Sequence, residues 1–331
     1  MDEKHRQNNF KAGKLKKKLN NFISNIINTK NSKYVLIIGD SPSKGARSPT
    51  LWNNAYNYFR KNLKMYPADV NGKNLKELCQ FLKFDKNFIG SSVTIPYKEK
   101  IIRFLDQIES NANSIGSVNT IIKKNKKLIG YNTDCYGSLF SLKKSKINQN
   151  NSTILFIGCG GAGKACIVSA IYHFRRSKLI FINRNNNKLK KFISKIKNKN
   201  NNKLIHIKSY SSIKNFSKID LIINTTSVGF NNWIEKNKRY YTLRNYSPLA
   251  KVNVIKQKNK NIKIFLNKNF KNIKENVSQS FKILNNLKKV IIFDIIYNPK
   301  ETKLIKIANL LGQRTINGLD MNFMQAVEGF Y

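Results

Sequence analysis

Histidine and cysteine are scarce in this chain, and neither is arranged to hold a metal. His5, His173 and His206 are isolated, with no H-E-x-x-H context, so they read as surface or core residues. Cys79, Cys135, Cys159 and Cys166 lie far apart or at spacings that suit no metal site, and no C-x-x-C occurs. No metal is expected. Unpaired thiols fit a reducing compartment, so the cytoplasm is the expected location. No apolar run is long enough to cross a membrane, and the first 30 residues lack the apolar core of a signal peptide. Acidic residues are few as well: 17 Asp and Glu stand against 62 Lys and Arg, a formal charge of +45.

Such an excess of cations raises nucleic acid as a partner. Here the basic residues run along the whole chain, mixed with abundant asparagine. Both residues have AT-rich codons, so biased genome composition accounts for the pattern. No nucleic-acid-binding motif is visible, and no specific nucleic acid is expected. The charge should still draw phosphorylated or carboxylated ligands over long range and hold nucleic acid weakly at low salt.

The chain has 331 residues, 40% of them apolar, which suits a globular protein of two domains. Residues 1–33 form a basic extension. Within it Leu15, Leu19, Phe22, Ile23, Ile26 and Ile27 share one helical face, which predicts an amphipathic helix packed on the body of the protein. Tyr34 to Ile38 reads as the first strand. Helical spacing follows at Leu51, Ala55, Phe59 and Leu63, and again at Leu75, Leu78, Cys79 and Leu82. Phe88 to Thr94 reads as strand, and Pro96 as the entry to a helix carrying Ile101, Ile102, Leu105 and Ile108. Val118 to Ile122 and Lys127 to Tyr131 read as strands joined by a polar turn.

A second unit begins near Asn151. Strands are predicted at Thr153 to Ile157, Lys178 to Ile182, Ile219 to Ile223 and Val290 to Ile296, with a helix from about Lys164 to Phe174. Strands alternating with helices indicate an α/β fold, with a doubly wound parallel sheet of Rossmann type in this half. Residues from Asn231 to Lys289 are polar and rich in lysine and asparagine, and read as an insertion at about 231–289. Leu304, Ile307, Ala308 and Leu311, then Met321, Met324, Gln325 and Val327, mark two further helices.

Gly158-Cys159-Gly160-Gly161-Ala162-Gly163 follows the strand at Thr153 to Ile157 and opens a helix. In that context a G-x-G-x-x-G run reads as a dinucleotide loop. Gly158 permits a tight turn, Gly160 lets a pyrophosphate approach the backbone, and Gly163 allows close helix–strand packing. The free N–H groups of the helix then face the phosphates. The next strand ends in Asn183-Arg184 with no acid nearby. Arg184 can pair with a 2′-phosphate and stack on adenine, which favours NADP(H) over NAD(H).

Two more dense motifs stand upstream: Ser92-Val93-Thr94-Ile95-Pro96-Tyr97-Lys98 and Gly130-Tyr131-Asn132-Thr133-Asp134. A lysine, an aspartate and a dinucleotide loop suffice to move a hydride and a proton together. With Ile115-Gly116-Ser117-Val118-Asn119-Thr120, Asn224-Thr225-Thr226-Ser227-Val228-Gly229-Phe230, Tyr297-Asn298-Pro299 followed by Thr302, and Gln325-Ala326, the chain closely resembles the shikimate dehydrogenase family, from roughly Tyr34 to Tyr331 apart from the insertion.

The resemblance implies reversible, NADPH-dependent reduction of 3-dehydroshikimate to shikimate, a step of chorismate and aromatic amino acid biosynthesis. It places Lys98 and Asp134 at the catalytic positions. Ser48, Thr94, Asn119, Tyr297 and Gln325 should line the substrate pocket. Gly158, Gly160, Gly161, Ala162, Gly163, Asn183, Arg184, Asn224, Thr225, Thr226 and Gly318 should border the cofactor. It further implies a substrate domain of 34–134 plus 315–331, a cofactor domain of 135–314, and a cleft between them where the reaction occurs, in a monomer or homodimer.

One stretch departs from the family pattern. The family offers two serines to the substrate carboxylate, with a histidine before the first. Aligned on Ser48-Pro49, the first serine is replaced by Ala46 and the histidine by Gly45. Ser43, Lys44 or Arg47 are the candidates to fill the gap. Quinate or another cyclic hydroxy acid is therefore the rival substrate. A relative that has lost turnover and holds polyanions by its charge is the reading from outside enzymology, and intact Lys98 and Asp134 argue against it.

Overall fold

The computed structural model describes residues 18–29, 32–196, 200–231, 233–258 and 261–330. The chain divides into two compact units. One runs through Thr133 and regains the chain at Gly329; the other is Asp134–Glu328. Among the described residues no helix is long and apolar enough to cross a membrane, and no cluster of His, Cys, Asp and Glu could hold a metal ion.

The first unit is built on β1 (Tyr34–Gly39), α1 (Ser48–Tyr58), β2 (Lys64–Asp69), α2 (Leu75–Phe84), β3 (Phe88–Val93), β4 (Gln107–Ile108), α3 (Ser110–Ile115), β5 (Thr120–Lys124) and β6 (Lys127–Tyr131). Its sheet has the order β2-β1-β3-β5-β6-β4. β1 runs parallel to both neighbours, and β5 and β6 form an antiparallel hairpin. Asn125 and Lys126 at the hairpin turn both have positive φ, the geometry that matches strand twist. Every residue of β1 is buried, as an apolar run in a central parallel strand should be. On α2 the buried stripe is Leu75, Leu78, Cys79 and Leu82, one face of a helix.

Two expectations fail in this unit. No helix follows Pro96. The chain turns over 96–100, makes a 3₁₀ turn at Ile101–Phe104 and enters β4. Strand pairing captures it: the Asp106 and Glu109 N–H groups donate to the Leu128 and Gly130 carbonyls of β6. The predicted amphipathic helix is also absent over 19–27, while Leu15 lies outside the described residues. Leu19–Asn21 is a 3₁₀ turn, and Ile26 is 91% exposed. Leu19, Phe22 and Ile27 are buried nonetheless. The segment runs along edge strand β2: Ser24 N–H donates to the Asp69 carbonyl, and Asn25 brackets the Pro67 carbonyl and the Asp69 N–H at 2.8 and 2.7 Å. An unpaired edge is thereby covered.

The second unit contains α4 (Asp134–Lys144), β7 (Thr153–Ile157), α5 (Gly161–His173), β8 (Lys178–Ile182), α6 (Asn186–Ile193), β9 (Lys203–His206), β10 (Leu221–Asn224), β11 (Trp233–Lys236), β12 (Arg239–Thr242), α7 (Ile262–Asn285), β13 (Ile291–Asp294), α8 (Lys303–Leu310), β14 (Thr315–Asn317) and α9 (Leu319–Phe330). Its main sheet has the order β14-β13-β10-β7-β8-β9 with all pairs parallel. Counted from β7, this is the doubly wound order of dinucleotide-binding sheets.

The stretch 231–289 is not a simple insertion. β10 and β13 are parallel neighbours, so a crossover must join them, and α7 supplies it. The helix hides this role because it buries asparagines. Asn269 and Asn276 are fully buried, and the Asn276 side chain accepts from Ser247 N–H at 2.8 Å and donates to the Ser247 carbonyl at 3.0 Å. Ahead of α7, β11 and β12 form a separate antiparallel hairpin. Residues 315–328 also fall in the second unit rather than the first, because β14 pairs with β13. Only the chain end joins the first unit, where the Phe330 ring packs 5.8 Å from Trp52 and 5.6 Å from Tyr56.

Candidate active site

In the first unit the motif residues gather at the carboxyl ends of β1 and β3. Thr94 N–H donates to the Ile38 carbonyl, so the chain leaving β3 crosses beside β1. Gly39 makes that crossing possible, since a Cβ there would sit 2.4 Å from the Thr94 methyl. The Tyr97 hydroxyl donates to the Val70 carbonyl at 2.5 Å, and burial together with Asp40 raises its pKa. That anchor fixes the turn bearing half-buried Lys98. Val118 N–H donates to the Lys98 carbonyl, tying this turn to the loop before β5.

Asn119 is 3% exposed and joins that loop to the end of β6. Its amide donates to the Thr133 hydroxyl at 2.9 Å and its carbonyl accepts from Thr133 N–H at 2.8 Å. The Asn132 amide donates to the Ser117 carbonyl at 2.7 Å. Three motif segments distant in sequence are therefore bonded together in this unit, and Asp134 follows Thr133 by one peptide bond.

The departing N-terminal motif is informative. Ser48 is half-buried in the first turn of α1. The Ser43 N–H and hydroxyl both donate to the Asp69 carboxylate, at 2.9 and 2.5 Å. A hydroxyl that donates its single O–H to one carboxylate has none for a second. Among the candidates to fill the Ala46 position, Ser43 is thus the poorest, which leaves Lys44 and Arg47, both exposed. Sequence reasoning did not single out Asp69; no motif marks it, and its role depends on Ser43 lying 26 residues away.

In the second unit Asp134 opens α4 and is 4% exposed. The glycine loop joins β7 to α5. Gly158 has φ +103° and donates its N–H to the Ile182 carbonyl. A Cβ on Gly163 would lie 2.5 Å from the Thr225 Oγ1, whereas one on Gly160 would meet nothing within 4 Å. The loop is therefore tight on its protein side and open on the other, as a pyrophosphate requires. Gly161 and Ala162 are half-buried in the first turn of α5, where N–H groups lack helical partners. Asn183 is half-buried, its amide donating to the Asn185 carbonyl, and Arg184 is exposed at the end of β8. These residues fit NADP(H). Gly163→Ala should lower stability by about 1–3 kcal/mol through overpacking against Thr225 and weaken dinucleotide binding with it, read by thermal melting with and without NADP⁺.

At the carboxyl ends of β10 and β13 lies a network whose central residue, Asp294, sequence reasoning passed over. Asp294 is fully buried. Its carboxylate accepts from the Asn224 amide at 2.9 Å, the Ile296 N–H at 3.1 Å and the Thr302 hydroxyl at 2.6 Å. The Asn224 carbonyl in turn accepts from the Thr226 N–H and hydroxyl at 3.0 and 2.8 Å. Thr225 donates to the Ile157 carbonyl beneath the glycine loop. Burial, partly offset by these donors, raises the Asp294 pKa from 3.8 to about 6. The available signal was an acid ending an apolar strand. Tyr297 and Gln325 are half-buried, and the Gln325 amide donates to the Asn322 carbonyl at 2.9 Å. Gly318 admits no side chain, since a Cβ would lie 1.8 Å from the Ile295 carbonyl oxygen, so its part is close packing.

Residues 37–121 match the family description "Shikimate dehydrogenase substrate binding domain". The chain is 33% identical over 306 residues to a shikimate dehydrogenase (NADP(+)) of Methanococcus maripaludis, covering 92% of each chain. It is 32% identical over 290 residues to one of Methanosphaera stadtmanae, covering 87% of each. Among solved structures it is similar to the shikimate dehydrogenase of Aquifex aeolicus, at 30% identity and a TM-score of 0.65 over 92% of this chain and 93% of that one. It is also similar to a shikimate dehydrogenase in complex with NADP+, at 27% identity and a TM-score of 0.68, covering 92% of this chain and 90% of that one.

Proposed function

Because the chain belongs to the shikimate dehydrogenase family, we propose that it catalyses the reversible, NADPH-dependent reduction of 3-dehydroshikimate to shikimate. The observation that carries this reading is the bonded cluster of Lys98, Val118, Asn119 and Thr133, which ends one residue before Asp134.

The dinucleotide, when bound, supplies the hydride. The Lys98 ammonium stabilises the charge that develops on the ketone oxygen and delivers the proton that completes the alcohol. Asp134 orients that ammonium and accepts a hydrogen bond from a ring hydroxyl. Thr94, Asn119, Tyr297 and Gln325 present polar groups to the remaining hydroxyls, which would be costly to bury unpaired. Ser48, aided by Lys44 or Arg47, takes the substrate carboxylate. Gly158 to Gly163 would hold the pyrophosphate, Asn183 and Arg184 the adenosine end, and Asn224, Thr225 and Thr226 would border the nicotinamide. The enzyme acts in the cytoplasm as a monomer or homodimer, in keeping with four cysteines that form no disulfide.

Assaying the purified protein with 3-dehydroshikimate and 3-dehydroquinate, each with NADPH and with NADH, tests the reading. Turnover with 3-dehydroshikimate and NADPH is expected, and failure of every pair would overturn it. The Ser43 hydroxyl hydrogen-bonded to Asp69, together with Ala46, supports quinate as the second reading; faster turnover of 3-dehydroquinate would establish it. Arg184→Ala should raise KM for NADPH by about 10–100-fold, the worth of charge-assisted bonds to a phosphate, and leave KM for NADH nearly unchanged. Equal effects on both cofactors would remove Arg184 from the 2′-phosphate.

A further inference from the structure

The polar stretch before α7 has no part in the chemistry above, yet it builds the walls of a large cavity. The cavity has a volume of about 960 Å³ and lies entirely within the second unit, beyond the carboxyl ends of β10 and β13. Ligand pockets fall in the range of about 300–1,000 Å³. One wall is apolar and aromatic. Trp233 of the hairpin meets Phe265 of α7 edge to face, with ring centroids 5.4 Å apart, and Leu266 continues this wall. Pro299, two residues beyond Tyr297, closes part of it.

The lining is also cationic, through Arg244, Lys300, Lys303 and Lys306. None of the four is in a salt bridge among the described residues. The single acid of the lining is Glu301, whose carboxylate already accepts from the Asn309 amide at 3.2 Å. Both α7 and α8 begin at the cavity, so the positive ends of two helices add to its field. An aromatic wall beside four unpaired cations is complementary to one chemistry: a flat ring system carrying an anionic group. The half-buried Trp233 ring, backed by buried Phe265, would stack on the ligand ring, and the guanidinium and ammonium groups would take the anion.

We propose that this cavity is a second ligand site, separate from the dinucleotide loop, for an aromatic phosphate or carboxylate. Half-buried Trp233, held from behind by buried Phe265, forms the ring platform, and Arg244 and Lys303 hold the anion.

The test uses the full chain with NADP⁺ at saturation, so that the dinucleotide loop is filled. 1-Naphthyl phosphate is titrated by calorimetry, a readout that does not depend on turnover. One saturable site per chain is expected, with inorganic phosphate failing to displace the probe at equal concentration. The double variant Arg244→Ala/Lys303→Ala should weaken binding by about tenfold or more, the loss of at least one charge-assisted contact. Lys274→Ala/Lys282→Ala removes the same charge from exposed positions of α7 outside the cavity and should leave binding unchanged. Trp233→Ala should weaken it without altering NADP⁺ affinity. Absence of a saturable site, or equal losses in the two double variants, would overturn the proposal and assign the affinity to the general positive field.

Discussion

Lys98→Ala is expected to lower kcat for 3-dehydroshikimate reduction by about 10²–10⁴-fold, the usual worth of a positioned acid. NADP⁺ affinity should stay nearly the same, because Lys98 belongs to the first unit and the dinucleotide loop to the second. The side chain is half-buried and its backbone is fixed from two directions, by the Tyr97 anchor and by Val118 N–H on its carbonyl. Removing the amine therefore deletes a functional group without releasing the turn that carries it. The steady-state signature is a fall in kcat and kcat/KM together, since the lost interaction is strongest in the transition state. Arginine at this position keeps the charge but holds its proton across the whole accessible range, so Lys98→Arg should also be impaired. Near-normal turnover in either variant would end the assignment of Lys98 as proton donor.

The second large effect is structural and lies under the proposed nicotinamide site. Asp294→Ala should reduce the free energy of unfolding by about 3–5 kcal/mol, because the Asn224 amide, the Ile296 N–H and the Thr302 hydroxyl would all lose a buried acceptor. Asp294→Asn keeps the shape and an acceptor and should be far milder. The two separate further by pH. The folded-state pKa is raised to about 6 from 3.8, so the folded protein holds this proton more tightly than the unfolded chain. Between about pH 4 and pH 6 the unfolded chain releases the proton while the folded protein keeps it. This contribution to stability is fully present below that window and declines as pH rises through it, by at most about 3 kcal/mol. Denaturant unfolding from pH 4 to 7 should show the decline in the wild type and not in Asp294→Asn. Parallel curves would show that Asp294 does not titrate in that window.

The sequence disclosed those parts whose chemistry is local. The glycine run needed only its own spacing and a strand before it, and the structure places it between β7 and α5 with Gly158 at positive φ. The stripe on α2 was visible because helical geometry relates residues three and four apart. Where tertiary contacts overrode local pattern, the reading failed. The apolar residues at 19–27 have helical spacing, but the chain lies along β2 and buries only Leu19, Phe22 and Ile27 while Ile26 faces outward. Edge strand β2 itself carries Pro67 and was not anticipated, since proline is tolerated only where a ladder bond can be spared. The helix expected after Pro96 was displaced by pairing of β4 with β6.

What this chain's sequence determined alone was the kind of cofactor loop and the alternation of strands and helices. Each depends on residue types within a few positions of one another. Only the tertiary structure decided that Ser43 donates its O–H to Asp69, that Asp294 hydrogen-bonds Asn224, and that asparagines line the buried face of α7. These are polar contacts between residues 26, 70 and about 29 positions apart, formed only when the fold brings the partners together.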